Sequence, residues 1–173
     1  GAGAGAMLGA LSDQGTRHCF VSEPSAYRRA AAGALSSAAV QVTAIDPFAD
    51  DLEAAIRARY PYGVDLVVEA VGSWPTIAQS LDLARPGGTI CLVGEHWGRV
   101  ELDRPKGAWM INDLTLIRSF YFTLPEFEEN QRLIVEHKLD AAPLASHTFK
   151  LDQLGAAYDL FGRGEALKVL VEP

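Results

Sequence analysis

The stretch GVDLVVEAVGSWPTIAQSLDLARPGGTICLVG (63–94) decides the fold. It begins with a nearly continuous apolar run, VDLVVEAV (64–71), which is typical of a strand buried on both faces of a sheet. SWPTIAQSLDLA (73–84) follows with a helical pattern and has Ser73 as a candidate N-cap. GGTICLVG (87–94) is a second apolar run that ends at a glycine. A strand, a helix and a strand in this order predict two parallel strands joined by a crossover helix.

The same alternation continues on both sides of this stretch. The other predicted strands are HCFV (18–21), VQVTAI (40–45), LTLIRSFYF (114–122) and ALKVLVE (166–172). The other predicted helices are PSAYRRAAAGAL (24–35), PFADDLEAAIRARY (47–60), PEFEENQRLIVEHK (125–138) and FKLDQLGAAYDLFGRG (149–164). This pattern predicts an α/β protein with a doubly wound, mainly parallel sheet. Such sheets bind ligands beyond the carboxyl ends of their strands.

Charge and hydropathy exclude several classes of partner. The chain has 15 basic and 22 acidic residues and a net charge of -7, which argues against nucleic acid or an anionic membrane surface. A small anionic ligand stays possible, because a helix N-terminus can bind a phosphate without a basic surface. No apolar stretch approaches the roughly 20 residues of a membrane helix. The N-terminus also lacks the basic flank and apolar core of a signal peptide.

Histidine and cysteine positions do not predict a metal site. The four histidines are scattered, and neither cysteine has a second cysteine or a histidine at ligand spacing. Cys19 and Cys91 lie in apolar runs, so we expect buried, reduced thiols in a cytoplasmic protein. His96 follows the glycine at 94 and is either close to a bound ligand or a plain loop residue.

The chain begins with GAGAGAMLGAL (1–11), a candidate phosphate-binding turn. Glycines allow the backbone to approach a pyrophosphate, and the helix that follows points its N-terminal amides at it. Gly1, Gly3 and Ala6 give the spacing G-x-G-x-x-A, whereas a register through Gly9 is one residue too long. The alternative is a linker or a flexible tail. In the first interpretation the cofactor contacts come from Gly3, Gly5 and Met7.

Glu23 supports the interpretation of that turn as part of a dinucleotide site. It follows the run HCFV and lies about 20 residues after the glycines, where such folds place an acid on the ribose hydroxyls. A carboxylate there would repel a 2′-phosphate, which favours NAD over NADP. The alternative is an acid at a helix N-terminus ahead of Pro24. Arg28 and Arg29 either flank the adenosine or form a solvated helix face.

The strand that should precede the glycine turn is not in the sequence. A dinucleotide-binding fold needs an apolar strand directly before this turn, and nothing precedes Gly1. We therefore expect a sheet without its first strand. The chain is then either a fragment of a longer protein or a compromised fold.

Several segments together resemble the C-terminal half of medium-chain, zinc-type alcohol and polyol dehydrogenases. They are GVDLVVEAVG (63–72), ARPGGTICLVG (84–94) and HTFKLDQLGAAYDLFGRGEALKVLVEP (147–173). CFVSEPSAYRR (19–29) is also similar to a segment of butanediol, sorbitol and threonine dehydrogenases. The resemblance covers nearly the whole chain and implies a Rossmann-type fold.

The resemblance implies an NAD-dependent enzyme that transfers hydride between NAD and a secondary alcohol or polyol, or the corresponding ketone. It implies a dinucleotide-binding domain over residues 1–145 and a segment over 146–173 that returns toward a catalytic domain. The zinc and its ligands belong to that other domain, so the catalytic residues are unknown here. The cofactor contacts that it implies are Glu23, Ala70, Val71, Gly72, Val93, Gly94 and Lys168. For each of them the alternative is a packing or turn role.

The resemblance also implies a homodimer. The strand at Leu114–Phe122 would pair with its two-fold mate and extend the sheet across the dimer. The alternative is an internal or covered edge strand.

Two other functions are compatible with the pattern. One is a methyltransferase, because these enzymes also use a glycine-rich turn and an acid after the second strand. Residues 147–173 argue against it, since they show no terminal antiparallel hairpin. The other is a non-catalytic nucleotide-binding remnant, which the absent first strand and the absent zinc domain favour.

Overall fold

The structure is a computed structural model and describes residues 15–95, 98, 112–136 and 141–173. Within these ranges strands and helices alternate along the chain. The predictions for Gly3, Gly5, Met7 and His96 lie outside the described residues.

The strands are β1 (His18–Ser22), β2 (Gln41–Ile45), β3 (Val64–Glu69), β4 (Ala84–Leu92), β5 (Thr115–Arg118), β6 (Ala145–Lys150) and β7 (Lys168–Glu172). The α-helices are α1 (Ala26–Gly33), α2 (Leu52–Arg59), α3 (Trp74–Leu83), α4 (Leu124–Val135) and α5 (Leu154–Gly162). Two short 3₁₀ turns lie at Ala142–Leu144 and Leu151–Gln153. In the part of the chain that the structure covers, no helix combines the length and apolar character needed to cross a membrane.

All strand pairs among the described residues are parallel. The strands form three sheets, with the orders β1-β2, β3-β4-β5 and β6-β7. The predicted α/β class and the parallel pairing are therefore confirmed. The described strands are distributed over three sheets, whereas the sequence pattern predicts one.

The chain divides into two compact units. The first consists of residues 1–50 and 123–173 and carries β1, β2, β6 and β7. The second consists of residues 51–122 and carries β3, β4 and β5. The boundary at residue 145 that the resemblance implies stays a prediction.

Each unit has its own apolar core. Buried aliphatic side chains in the second unit come from both helices and from β4, and they are Leu52, Ile56, Ile77, Leu83 and Ile90. In the first unit the buried apolar residues are Ala32, Val40, Ile45, Ala157 and Ala166. The three alanines allow close approach of the elements that carry them.

Capping side chains determine where the helices of the second unit begin. The predicted cap is confirmed, because Ser73 precedes α3, accepts a hydrogen bond from the Thr76 amide and is followed by a proline in the first turn. The helix expected from residue 47 begins at Leu52, because the Asp51 side chain accepts from the amide of Ala54. The residues before Asp51 form turns instead of helix.

Two C-terminal predictions differ from the structure. The strand expected over 114–122 is limited to β5, and Tyr121 has a positive φ of 55° that breaks the extended backbone. The helix expected from residue 149 begins only at Leu154. Residues 145–150 form β6, which the sequence pattern did not predict, because its extended conformation depends on pairing with β7.

Candidate functional site

The predicted cofactor contacts that the structure describes form two groups, one in each unit. Ala70, Val71 and Gly72 follow β3 in the second unit, and Val93 and Gly94 follow β4. Glu23 and Lys168 belong to the first unit. Each residue after β1, β3 or β4 lies at the carboxyl end of a parallel strand, where sheets of this kind bind ligands.

In the second unit, the turns after β3 and β4 pack directly on each other. The amides of Val93 and Gly94 donate to the Glu69 carbonyl oxygen at 2.8 and 2.9 Å. A Cβ on Gly94 would overlap the backbone nitrogen of Gly72, and a Cβ on Gly72 would overlap the backbone of Glu95. Gly72 also has a φ of +77°. Both glycines are therefore required by the close approach of the two turns.

The Glu69 carboxylate holds the turn after β3. Only 4% of Glu69 is exposed, and its Oε1 accepts from the amides of Val71 and Gly72 at 2.9 Å and from the Thr76 hydroxyl at 2.8 Å. The sequence analysis did not identify Glu69 as a site residue. The available signal was an acid at the end of the apolar run 64–71, because a buried carboxylate requires hydrogen-bond donors.

Arg118 holds the turn after β4 from the side of β5. Its Nη1 donates to the carbonyl oxygens of Leu92 at 3.0 Å, Gly94 at 2.9 Å and Ser119 at 3.1 Å. The guanidinium also lies 5.8 Å from the centre of the Phe120 ring. The resemblance implied a pairing role for this strand, and the contact of its arginine with the candidate site was not predicted from the sequence.

Exposed apolar side chains lie beside these turns. Val71 is 68% exposed and Val93 is 44% exposed. They offer apolar surface at one edge of the sheet, and ligand sites are lined mainly by such surface.

In the first unit, Glu23 directly follows β1 and is nearly buried, with 8% of its surface exposed. Its amide donates to the carbonyl oxygen of Ile45 at 3.1 Å, and its Oε1 accepts from the Ser25 amide at 2.9 Å. Ser25 in turn caps α1, because its hydroxyl accepts from the Arg28 amide. The carboxylate is therefore fixed at the carboxyl end of β1 and just ahead of a helix.

The two arginines of α1 hold backbone carbonyls. Arg28 donates to the carbonyl oxygens of Ala166 at 3.0 Å and Phe161 at 3.4 Å, and its guanidinium lies 5.4 Å from the centre of the Phe161 ring. Arg29 donates to the carbonyl oxygen of Glu23 at 2.8 Å and pairs with Asp46 at 2.7 Å. Contact between Arg28 and an adenosine stays a prediction.

These links bring the Glu23 turn next to the segment that leads into β7. The Ser25 hydroxyl donates to the Gly164 carbonyl oxygen at 2.5 Å, and Arg28 bonds Ala166, two residues before Lys168. Lys168 is the first residue of β7 and is exposed. Glu23 and Lys168, which are predicted to contact the same cofactor, thus belong to hydrogen-bonded segments of the same unit.

Cys19 and Cys91 are free and half-buried, and burial raises the pKa of the Cys19 thiol. Within the described ranges, no group of three or more histidine, cysteine, aspartate and glutamate side chains could hold a metal ion. The expectation that the zinc ligands lie elsewhere stays a prediction.

Solved structures share the fold of this chain. A 2R,3R-butanediol dehydrogenase from Bacillus subtilis matches 96% of the chain with a TM-score of 0.81 at 22% identity, and the match covers 46% of that protein. An alcohol dehydrogenase from Escherichia coli CFT073, complexed with NADH, matches with a TM-score of 0.81 at 18% identity over 50% of its length. A dehydrogenase structure from Sinorhizobium meliloti 1021, bound to NADP, matches with a TM-score of 0.74 at 22% identity over 57% of its length.

Sequence comparison gives the family. An alcohol dehydrogenase from Cupriavidus necator is 30% identical over 117 residues, which are 64% of this chain and 31% of that protein. The chain thus spans between 31% and 57% of the length of these four proteins. Residues 2–136 match the family model for zinc-binding dehydrogenases. Because this match covers most of the chain, the chain belongs to the zinc-binding dehydrogenase family.

Proposed function

We propose that this chain is the cofactor-binding part of an NAD-dependent zinc-type dehydrogenase. The enzyme would transfer hydride between NAD and a secondary alcohol or polyol, or the corresponding ketone. The observation that carries the proposal is the nearly buried carboxylate of Glu23 at the carboxyl end of β1, in a chain of the zinc-binding dehydrogenase family.

Each unit supplies residues that fit part of a dinucleotide. In the first unit, Glu23 supplies an acceptor for ribose hydroxyls, because a carboxylate offers about four acceptor sites. In the second unit, Gly72 and Gly94 allow the turns after β3 and β4 to pack closely, because a Cβ on either glycine would overlap the backbone of the other turn. The carboxyl ends of parallel strands are where folds of this kind bind dinucleotides.

The bound cofactor would supply the hydride chemistry. The chain's own residues would bind and orient it. Glu23 would accept hydrogen bonds from the ribose, and the ammonium group of Lys168 would neutralise charge on the pyrophosphate. Val71 and Val93 would exclude water from the ring that reacts, since both present apolar surface beside the glycine turns.

NAD is the proposed cofactor because of the charges around Glu23. A 2′-phosphate beside this carboxylate would be repelled, and compensation would require a nearby cation. Arg29 already pairs with Asp46 at 2.7 Å, and Arg28 is bonded to the segment around Ala166. Related structures contain NADH in one case and NADP in another, so the fold itself does not determine the choice.

Calorimetric titration of the chain with NADH and NADPH tests the proposal. We expect NADH to bind more tightly than NADPH, and Glu23→Gln to weaken NADH binding about tenfold by removing charge-assisted hydrogen bonds. Glu165→Gln is the matched control, because Glu165 is an exposed acid of the same unit that pairs with Arg163. A folded chain that binds neither nucleotide would contradict the proposal and favour the non-catalytic remnant.

The methyltransferase alternative is tested in the same experiment with S-adenosylmethionine. The parallel pairing of β6 and β7 argues against it, because a terminal antiparallel hairpin is the arrangement that such an enzyme would show. Saturable binding of S-adenosylmethionine would nevertheless overturn the dehydrogenase proposal.

The proposal places the zinc and the catalytic residues outside residues 1–173, as the resemblance implies. It is supported by the fraction of its relatives that the chain spans, from 31% to 57% of their length. A cytoplasmic location, and the exclusion of nucleic acid and membranes as partners, remain predictions from charge and composition.

We also propose a homodimer formed through the segment Leu114–Phe122. Among the described strands β5 lies at the end of its sheet, and all four of its residues are exposed. Phe120, Tyr121 and Phe122 follow with more than half of their surface exposed.

Sedimentation velocity tests the homodimer, because Ile117→Lys should shift the chain toward monomer. Val135→Lys, at another exposed apolar position, should not, and a wild-type monomer at high concentration would contradict the proposal.

A further inference from the structure

We infer that Arg118 is a positioning residue that fixes the Val93–Gly94 turn for the nicotinamide end of the dinucleotide. This inference rests on the proposed function. It assigns to Arg118 a role that is distinct from strand pairing, since its side chain is bonded to the neighbouring turn.

The turn after β4 is held by hydrogen bonds from two sides. The amides of the turn bond to β3, since those of Val93 and Gly94 both donate to the Glu69 carbonyl oxygen. The carbonyl oxygens of the turn bond to β5, since Arg118 Nη1 donates to those of Leu92 at 3.0 Å and Gly94 at 2.9 Å. A loop whose carbonyls and amides both have partners has few alternative conformations, so the removal of either set should loosen it.

Glu69 provides the fixed surface against which Arg118 holds the turn. Its buried carboxylate fixes the Gly72 amide, and a Cβ on Gly94 would come within 2.7 Å of Oε2. Gly94 therefore packs against a rigid surface on one side. The bonds from Arg118 then determine the orientation of its carbonyl group on the other side.

The resemblance to zinc-type dehydrogenases implies which half of the dinucleotide the turn contacts. The acid that would hold the adenosine ribose corresponds to Glu23. Val93 and Gly94 correspond to the segment over the nicotinamide carboxamide, and they follow β4 in the sheet β3-β4-β5. Val71 and Val93 are exposed beside this turn and suit a flat ring, and the bonds with Glu69 and Arg118 fix the backbone there.

Arg118 can be replaced without unfolding the chain, because in the single chain it is exposed and its bonds are exposed or half-buried. Since β5 also belongs to the proposed dimer interface, sedimentation velocity shows whether the replacement changes the oligomeric state. Arg85 is the matched control. Its side chain is 43% exposed and lies at the opposite end of the same sheet, where it pairs with Asp65 at 2.6 Å. Replacement of either arginine by methionine keeps most of the aliphatic stem and removes the charge and the donors.

The experiment compares NADH with ADP-ribose, which lacks only the nicotinamide. Calorimetry on Arg118→Met should show NADH binding weakened about tenfold and ADP-ribose binding unchanged. Arg118→Lys should recover part of the NADH affinity, because an ammonium retains donors for the same carbonyls. Arg85→Met should bind both ligands as the wild type does.

Hydrogen exchange without any ligand supplies a second readout. The amides of Val93 and Gly94 should exchange several-fold faster in Arg118→Met than in the wild type or in Arg85→Met. Equal losses of NADH and ADP-ribose affinity, or no loss of either, would overturn the inference. If the wild type binds neither ligand, the proposed function fails and the ligand assignment fails with it, whereas the exchange rates still show whether Arg118 holds the turn.

Discussion

Two turns of this chain begin with a nearly buried glutamate at the end of a parallel strand, yet they are held in different ways. Glu23 and Glu69 each accept a hydrogen bond at 2.9 Å from the amide two residues further on. Each turn then leads to a serine that caps a helix, Ser25 before α1 and Ser73 before α3.

The partners of the two turns come from different distances along the chain. The Glu69 turn is closed by nearby residues of the same strand–helix–strand segment, Thr76 and the strand end at Val93 and Gly94. The Glu23 turn is tied to a segment about 140 residues away, through the bond from Ser25 to Gly164. The first kind of turn is formed when its supersecondary unit forms, whereas the second also requires the C-terminal segment to dock.

The largest effect is expected for Glu69→Ala. Loss of the carboxylate leaves the amides of Val71 and Gly72 and the Thr76 hydroxyl without their acceptor, which should lower the free energy of unfolding by about 3 kcal/mol. Glu53→Ala, at an exposed acid of α2, should change it by less than about 0.5 kcal/mol. Urea denaturation followed by circular dichroism measures both. A tolerated Glu69→Ala would show that the turn is held by the glycine packing alone.

The next largest loss of stability is expected at Gly72, which packs against the turn after β4. Gly72→Ala should cost about 2 kcal/mol or more, because the new Cβ meets the backbone of Glu95 and the residue has a positive φ. Gly155→Ala is the opposite case: the space around it is open and it lies in α5, so a gain of about 0.4–1 kcal/mol is expected. Thermal unfolding of the two variants should therefore shift in opposite directions.

A smaller loss of stability is expected when the hydrogen bonds between the Glu23 turn and the C-terminal segment are removed. Arg28→Met removes the bonds to Phe161 and Ala166 and should destabilise the chain by about 1 kcal/mol. Arg163→Met, which breaks an exposed ion pair with Glu165, should have almost no effect. Hydrogen exchange should show faster opening of residues 164–168 in the first variant. Unchanged exchange there would mean that Arg28 does not close the turn.

The smallest effect belongs to a third turn, where the glutamate is exposed. Glu126 lies in the first turn of α4, and hydrogen bonds from the backbone and side chain of Thr123 lower the pKa of its carboxyl. Because this pKa is lowered in the folded chain, the stabilisation is complete above the ordinary value of 4.5 and is lost as the pH falls through the lower folded value. Thr123→Ala should raise the pKa of Glu126 toward that ordinary value in an NMR titration. An unchanged titration would show that the capping box does not persist in solution.

Sequence reasoning identified the elements with strong local signals. The strand–helix–strand unit over 64–94 and the Ser73 cap were both predicted from residues that determine their own local structure. It missed β6, which depends on pairing with β7, and it overestimated the length of β5. The resemblance pointed to Ala70, Val71 and Gly72 without Glu69, and a pattern of apolar residues does not show which polar group holds the turn.

By itself the sequence determined the class of the fold and the order of the elements from β1 to α4. These depend on hydrophobic periodicity, helix caps and glycines, which act over a few residues. Only the tertiary structure decided that Glu69 and Arg118 hold the turns after β3 and β4, and that Arg28 reaches Ala166. The physical reason is that a charged side chain is satisfied by whichever donors and acceptors the folded chain brings to it, at any separation along the sequence.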